Sequence, residues 1–169
     1  MEITYKDLEG KDIPSLTPIM KAAFDEDTRM HTELPADGPA GYDTGELLER
    51  LLKKENSISK VIFCDGRVIG EYTIIKDGGS FTLDLFFLDP QYASRGIGET
   101  VWTHIEQSYP EAGSWYLETP SYSARNRHFY EKCGFRAIRE NTCGDGAKSL
   151  VFVKHIANGT AQTDFRGYS

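Results

Sequence analysis

Six residues, Ser94-Arg95-Gly96-Ile97-Gly98-Glu99, carry the first chemical signal of this chain. They follow a strand-like apolar run, Leu83 to Leu88, closed by Asp89-Pro90, and they open an amphipathic, helix-like segment from Val101 to Tyr109. Glycines at a strand-to-helix junction let main-chain N–H groups approach an anion with no side chain in the way. The helix start adds unpaired N–H donors and partial positive charge. The pattern predicts a phosphate cradle. A dinucleotide-binding turn fits worse, because it needs a third glycine where Val101 stands and a β-α-β unit around it. A P-loop needs Gly-Lys-Ser/Thr, which the chain lacks.

Periodicity and punctuation give the elements that must position this cradle. Glu2 to Leu8 alternates apolar and polar residues as a first strand. Asp12 or Thr17 starts a helix; Pro18 fits best at a first helical position after Thr17 as cap, since proline deep in a helix removes a bond and clashes. Ile19, Met20, Ala23 and Phe24 follow at helical spacing. Asp25 to Tyr42, with Pro35, Gly38, Pro39 and Gly41, reads as a long loop, of a length usual for functional lids or disordered linkers. Asp43 and Glu46 form a capping box for a second helix with a stripe of Leu47, Leu48, Leu51 and Leu52.

Ile58–Cys64, Val68–Lys76 and Ser80–Leu88 read as an antiparallel meander, turned at Asp65-Gly66-Arg67 and Asp77-Gly78-Gly79. Ser114–Glu118 is a strand broken by Thr119-Pro120. A helix over Ser123–Lys132 stops at Gly134, and a hairpin closes around Gly144-Asp145-Gly146. The order β-α-α-β-β-β-α-β-α-β-β predicts a mixed α/β sheet in a single domain over 1–156, followed by a tail over 157–169.

Composition narrows the classes. The chain has 169 residues, 39% hydrophobic and 27% charged, as expected of one globular domain. A net charge of -7 argues against broad nucleic-acid binding or an anionic membrane surface. No apolar run approaches the ~20 residues of a membrane span, and the first residues lack a signal-peptide pattern. Cys64, Cys133 and Cys143 contain no C-x-x-C pair, and His31, His104, His128 and His155 lack metal-ligand spacing. His104 falls on the polar face of its helix and is expected exposed. The Asn158-Gly159-Thr160 sequon reads as chance. A metal-free, cytoplasmic protein is expected.

Two segments now carry a resemblance. Leu88-Asp89-Pro90-Gln91-Tyr92-Ala93-Ser94-Arg95-Gly96-Ile97-Gly98 resembles the acyl-CoA pyrophosphate loop of the GNAT superfamily of N-acyltransferases. Phe129-Tyr130-Glu131-Lys132-Cys133-Gly134-Phe135 resembles that family's second signature. The resemblance covers roughly Ile3 to Ile156. It implies a mostly antiparallel sheet of six to seven strands flanked by about four helices. It also implies an N-acetyltransferase that moves an acetyl group from acetyl-CoA to a primary amine by direct attack.

The same resemblance assigns residues. Backbone groups of Phe86, Phe87 and Leu88 would pair with the pantetheine arm where the Ser80–Leu88 and Ser114–Glu118 strands splay apart. Amides of Ser94, Arg95, Gly96, Ile97, Gly98 and Glu99 would hold the pyrophosphate. Tyr130 would protonate the departing thiolate and contact the coenzyme. Three departures stand out. Ala93 replaces a usual Gln or Arg, with Arg95 as its substitute. Ser123 replaces a coenzyme-contacting Asn, with Asn126 one turn later. Thr82 replaces a base-like Glu.

The chemistry still requires a base. Strand parity places Asp84 on one face with Thr82, Phe86 and Leu88, where apolar neighbours would raise its pKa. Asp84 is the expected base, with Glu71 and Glu118 as rivals. Arg127 and Lys132 are candidates for the 3′-phosphate. Asp25, Glu26, Asp27, Glu33, Asp37 and Asp43 read as an acidic, mostly solvated rim of the acceptor site, which would take a small-molecule or peptide amine. A monomer or homodimer is expected. The alternative is a non-catalytic acyl-CoA-binding sensor or partner module on the same fold.

Overall fold

Seven strands form one sheet in the order β1-β2-β3-β4-β5-β7-β6. In the computed structural model, which describes residues 1–156, they are β1 (Ile3–Asp7), β2 (Ser57–Cys64), β3 (Arg67–Asp77), β4 (Ser80–Leu88), β5 (Ser114–Pro120), β6 (Arg136–Thr142) and β7 (Lys148–His155). Four helices flank it: α1 (Ile13–His31), α2 (Glu46–Lys53), α3 (Ile97–Ser108) and α4 (Ala124–Lys132). The mixed, mostly antiparallel α/β architecture is the expected one. The tail over 157–169 and its sequon lie outside the described residues.

Among the described residues β4 and β5 are the one parallel pair, and they stay together only through Ser80↔Ser114, Phe81↔Trp115 and Thr82↔Tyr116. Beyond Thr82 the two strands diverge. β5 then pairs along its whole length with β7, from Ser114↔His155 to Pro120↔Ser149, so Thr119-Pro120 ends the strand rather than breaking it earlier.

The sheet carries a core on each face. One face, under α3, buries Tyr72, Ile74, Phe81 and Leu83 against Ile97, Val101, Trp102 and Ile105. The other, under α1 and α2, buries Val61, Leu85 and Phe87 against Leu16, Met20, Leu47 and Leu48. Leu83 and Leu85 therefore point to opposite faces although they lie two residues apart. The pairing explains this: Thr73 opposes Leu85 and Ile74 opposes Leu83, leaving Asp84 as the extra residue of a β-bulge. Simple alternation fails there, and Asp84 is exposed instead of lying among apolar neighbours with Phe86 and Leu88.

α1 takes the earlier of the two expected starts: Asp12 is its N-cap, it begins at Ile13 with Pro14 in its first turn, and Pro18 sits inside it. The donor that Pro18 lacks would have served Pro14, close to the helix start, so the loss is confined to the second turn. α1 then runs to His31, so Asp25–His31 is helix rather than loop. Burial of Leu16, Met20, Asp25, Asp27 and Thr28 outweighs the local signal. α2 starts after Gly45 with no side-chain cap, so the Asp43–Glu46 capping box does not form.

Candidate active site

Where β4 and β5 part, a cleft of about 300 Å³ opens. Phe86, Phe87 and Leu88 of β4 form one wall, and the Asp89–Glu99 turn closes one end. Asn126, Phe129 and Tyr130 of α4 form the facing wall, and the last turns of α1 with Arg125 complete it.

The turn is built from the backbone outward. Asp89 Oδ1 accepts from the Gln91 amide at 2.9 Å and caps a single turn over Pro90–Tyr92. Ser94 and Gly96 then take left-handed φ angles of 62° and 77°. Gly96 is the N-cap of α3, and a Cβ there would meet nothing within 4 Å. None of the amides from Ser94 to Glu99 donates to another group among the described residues. Six free donors thus lie at and just before the positive end of a 12-residue helix. This is a fit for a diphosphate made by main chain alone.

The second glycine has a different task. A Cβ on Gly98 would lie 2.9 Å from the Phe129 ring, so Gly98 lets α3 and α4 approach closely. Arg95 does not line the cleft; its guanidinium stands 5.3 Å over the Tyr92 ring. Glu99 is neutralised by Lys132 Nζ at 2.9 Å, so Lys132 is committed there rather than free for a 3′-phosphate. Arg127 pairs with Glu131 at 3.7 Å.

Tyr130 lines the cleft beside Phe86. Its ring is held edge-on by Phe129 at 5.1 Å and Phe135 at 5.8 Å. Burial, aided by Cys133 and the Asp27 carboxylate, pushes its phenol well above the usual tyrosine value, so it remains a proton donor through neutral pH. Asn126 also lines the cleft, but its side-chain Nδ2 donates to Thr119 Oγ1 at 3.0 Å and ties α4 to the end of β5.

The three carboxylates named from sequence all stand outside the lining. Asp84 lies exposed in the bulge, two residues past the last β4–β5 pair. Glu118 is exposed and accepts from Asn141 Nδ2 at 3.2 Å and from Ser149 Oγ. Glu71, on β3 opposite Phe87, is fully buried. Burial drives its pKa up to about 8 against the Thr73 hydroxyl bond that lowers it, and the charge of Asp84 raises it further. In linkage terms, folded Glu71 holds its proton from its ordinary value of 4.5 up to about 8 while the unfolded chain has lost it. Chemical denaturation across pH should therefore show wild-type stability falling, relative to Glu71→Gln, through that window and levelling off above it. Parallel curves would contradict the burial argument.

Sequence reading missed the floor at the end of α1. Asp27 is buried, and its Oδ1 accepts from Ser123 Oγ at 2.7 Å and faces His31 Nδ1 at 3.2 Å. Arg125 reaches Glu26 at 2.7 Å and Asp27 at 3.6 Å. Asp25 is buried too. Burial would raise it, but bonds from Lys21 and Tyr42 leave it below the usual carboxylate range. The expected solvated rim is thus partly a buried clasp between α1 and α4. The i,i+4 pairs Lys21/Asp25 and Asp27/His31 were the available signal that the helix continues. His104, expected exposed, is half-buried and stacks on Tyr5 at 3.7 Å.

Ser123 caps α4 by accepting the Asn126 amide at 3.2 Å while it donates to Asp27. Ser123→Ala should cost about 1–2 kcal/mol in a denaturation experiment. An unchanged midpoint would show that the clasp carries no stability.

A family model described as an acetyltransferase (GNAT) domain matches residues 41–155. The chain belongs to the GNAT acetyltransferase family. This GNAT chain is 31% identical over 109 residues to the protein YrkN of Bacillus subtilis (strain 168), over 56% of this chain and 58% of YrkN. It therefore spans less than two thirds of that relative. An acetyltransferase from Thermus thermophilus superposes with a TM-score of 0.73 at 16% identity, over 92% of this chain and 98% of that one. The PaiA N-acetyltransferase from Thermoplasma acidophilum, in complex with coenzyme A, gives 0.72 at 17%, over 92% and 100%. A spermidine N-acetyltransferase SpeG chimera from Vibrio cholerae and hSSAT gives 0.70 at 17%, over 92% and 96%. At these identities the solved structures share the GNAT fold with this chain. Among the described residues, no helix is long and apolar enough to cross a membrane.

Proposed function

We propose that this GNAT protein is an N-acetyltransferase that uses acetyl-CoA and a primary amine. The observation that carries the reading is the set of six unsatisfied amides, Ser94 to Glu99, at the mouth of the cleft between β4 and β5. Acetyl-CoA, when bound, supplies an activated thioester and a thiolate leaving group.

Each part of the cleft then has a task. The six amides and the α3 terminus hold the diphosphate. Phe86 to Leu88 lie past the last pairing with β5, so their β5-side backbone groups are available to the pantetheine arm. An amide at Phe87 or Leu88 stabilises the carbonyl oxygen as it gathers charge. Tyr130 gives its proton to the departing sulfur. Asp84, Glu71 and Glu118 stand outside the lining, so the arriving ammonium gives its proton to water at the open cleft.

Thiol release from acetyl-CoA tests this with n-butylamine, spermidine, an aminoglycoside and a lysine-bearing peptide as acceptors. Release with at least one is expected. Saturable acetyl-CoA binding without release across a broad amine panel would contradict the enzyme and favour a sensor.

A further inference from the structure

Asp27 lines the cleft, yet it is only 5% exposed. Its partners all gather on one oxygen. Oδ1 accepts from Ser123 Oγ at 2.7 Å, lies 3.2 Å from His31 Nδ1 and stands 3.6 Å from Arg125 Nη2. Oδ2 accepts no hydrogen bond among the described residues. It is not sealed in the core either, unlike Glu71 Oε1, which meets neither a partner nor solvent. A carboxylate oxygen left open in the wall of a cleft is a place for a donor from outside.

The charges beside it decide which donor. Glu26 and Asp27 share one guanidinium: Arg125 Nη1 donates to Glu26 at 2.7 Å, and Arg125 is the one cationic side chain of the lining among the described residues. His31 adds no charge. Its Nδ1 lies 2.8 Å from the Asp27 carbonyl oxygen, which can only accept, and its Nε2 receives the Arg125 amide at 3.4 Å. Those two bonds describe a neutral ring with its proton on Nδ1. The other carboxylates of the lining are occupied, Asp89 by the Gln91 amide and Glu99 by Lys132. One negative charge is therefore in excess at the α1 end of the cleft, with Asp27 Oδ2 open to receive its counter-ion. The wall around it is apolar. Phe24 lines the cleft from α1, and the rings of Phe86 and Phe129 stand 6.2 Å apart across it. Such a site suits a cation on a hydrocarbon stem.

We infer that Asp27 Oδ2 anchors the ammonium of the acceptor, and that the acceptor is an alkyl ammonium with no anionic group near its nitrogen. The inference rests on the reaction proposed above and names its acceptor class. The ammonium donates one N–H to Oδ2, and its alkyl stem lies along Phe24 and Phe86. Another N–H faces the water that takes the proton. Asp27 keeps its charge throughout, held by Ser123 and Arg125 through Oδ1. Tyr130 lines the same cleft, so the anchored amine and the proposed acid share one space. A carboxylate carried by the amine would be brought against Glu26 and Asp27 and is refused by repulsion.

Kinetics compare wild type with Asp27→Asn, which can still accept from Ser123 and loses only the charge. With acetyl-CoA saturating, KM for n-butylamine should rise about 10- to 100-fold, and acetyl-CoA affinity should not change. β-Alanine, an amine of similar length that carries a carboxylate, should be a poorer acceptor than n-butylamine for wild type, and the gap should narrow in Asp27→Asn. A folded variant with the wild-type KM would overturn the anchor and leave the acetyl transfer standing. An amide titration of isotope-labelled wild type with n-butylammonium, with and without coenzyme A, needs neither turnover nor the variant. Saturable shifts at residues 23–27 and 123–130 are expected. No saturation, or shifts that gather elsewhere, would overturn the anchor. Saturable shifts there without thiol release from acetyl-CoA would support the anchor and sink the proposed function instead.

Discussion

Tyr130→Phe should reduce turnover about 10- to 100-fold, or ~1.4–2.7 kcal/mol of barrier, while acetyl-CoA binds as it does to the wild type. The change removes one hydroxyl and leaves the ring in its cage of Phe129, Phe135 and Phe152, so packing and the shape of the cleft are preserved. The lost atom is the donor nearest the path of the leaving sulfur in the proposed arrangement. Burial keeps that phenol protonated at neutral pH, so the wild-type protein holds the proposed acid in its working form. A more acidic thiol leaving group should rescue the variant, since it needs less help to depart. Pre-steady-state thiol release, with calorimetric titration of acetyl-CoA alongside, separates the two effects. Equal rates for the two proteins would remove Tyr130 from the chemistry.

Gly70→Ala should be strongly damaging, since among the described glycines a Cβ at residue 70 would make the closest contact. Gly70 pairs with Leu88, and a Cβ at residue 70 would stand 2.2 Å from the Phe87 carbonyl oxygen and 3.1 Å from the Leu88 Cα. Both contacts are backbone, so no side-chain rotation relieves them. β3 must part from β4 at the segment whose free edge is offered to the coenzyme. The cost is that of overpacking, about 1–3 kcal/mol, together with loss of acetyl-CoA affinity. Denaturant melts and a calorimetric titration on the same sample check both. A variant as stable as wild type with full affinity would show that this stretch of β4 is not under the constraint described.

Much of this architecture was legible because its signals are local. The apolar meander, the Asp-Gly turn at Asp65-Gly66 and the glycine-marked helix start each announce themselves within a few residues, and the described elements follow the expected order. What was not legible depends on distant partners. The face of Asp84 is decided by a bulge set between β3 and β4, and period-2 reasoning has no access to an extra residue. α1 passes through Pro18 because its lower turns are buried against β3 and β4. Asp27 enters the cleft because Ser123 and Arg125, almost a hundred residues on, fold back upon it. Gly98 has the look of a phosphate-contacting glycine, yet its constraint comes from the Phe129 ring. The sequence pattern thus located the cradle, while the charges around it had to be read from the fold.

A backbone amide titration by nuclear magnetic resonance, with coenzyme A added to the isotope-labelled protein, is the most direct measurement. Main-chain capture of the diphosphate predicts saturable shifts concentrated at the amides of residues 94–99, followed by those of 86–88. No saturation, or shifts that spare this turn and gather elsewhere, would contradict it.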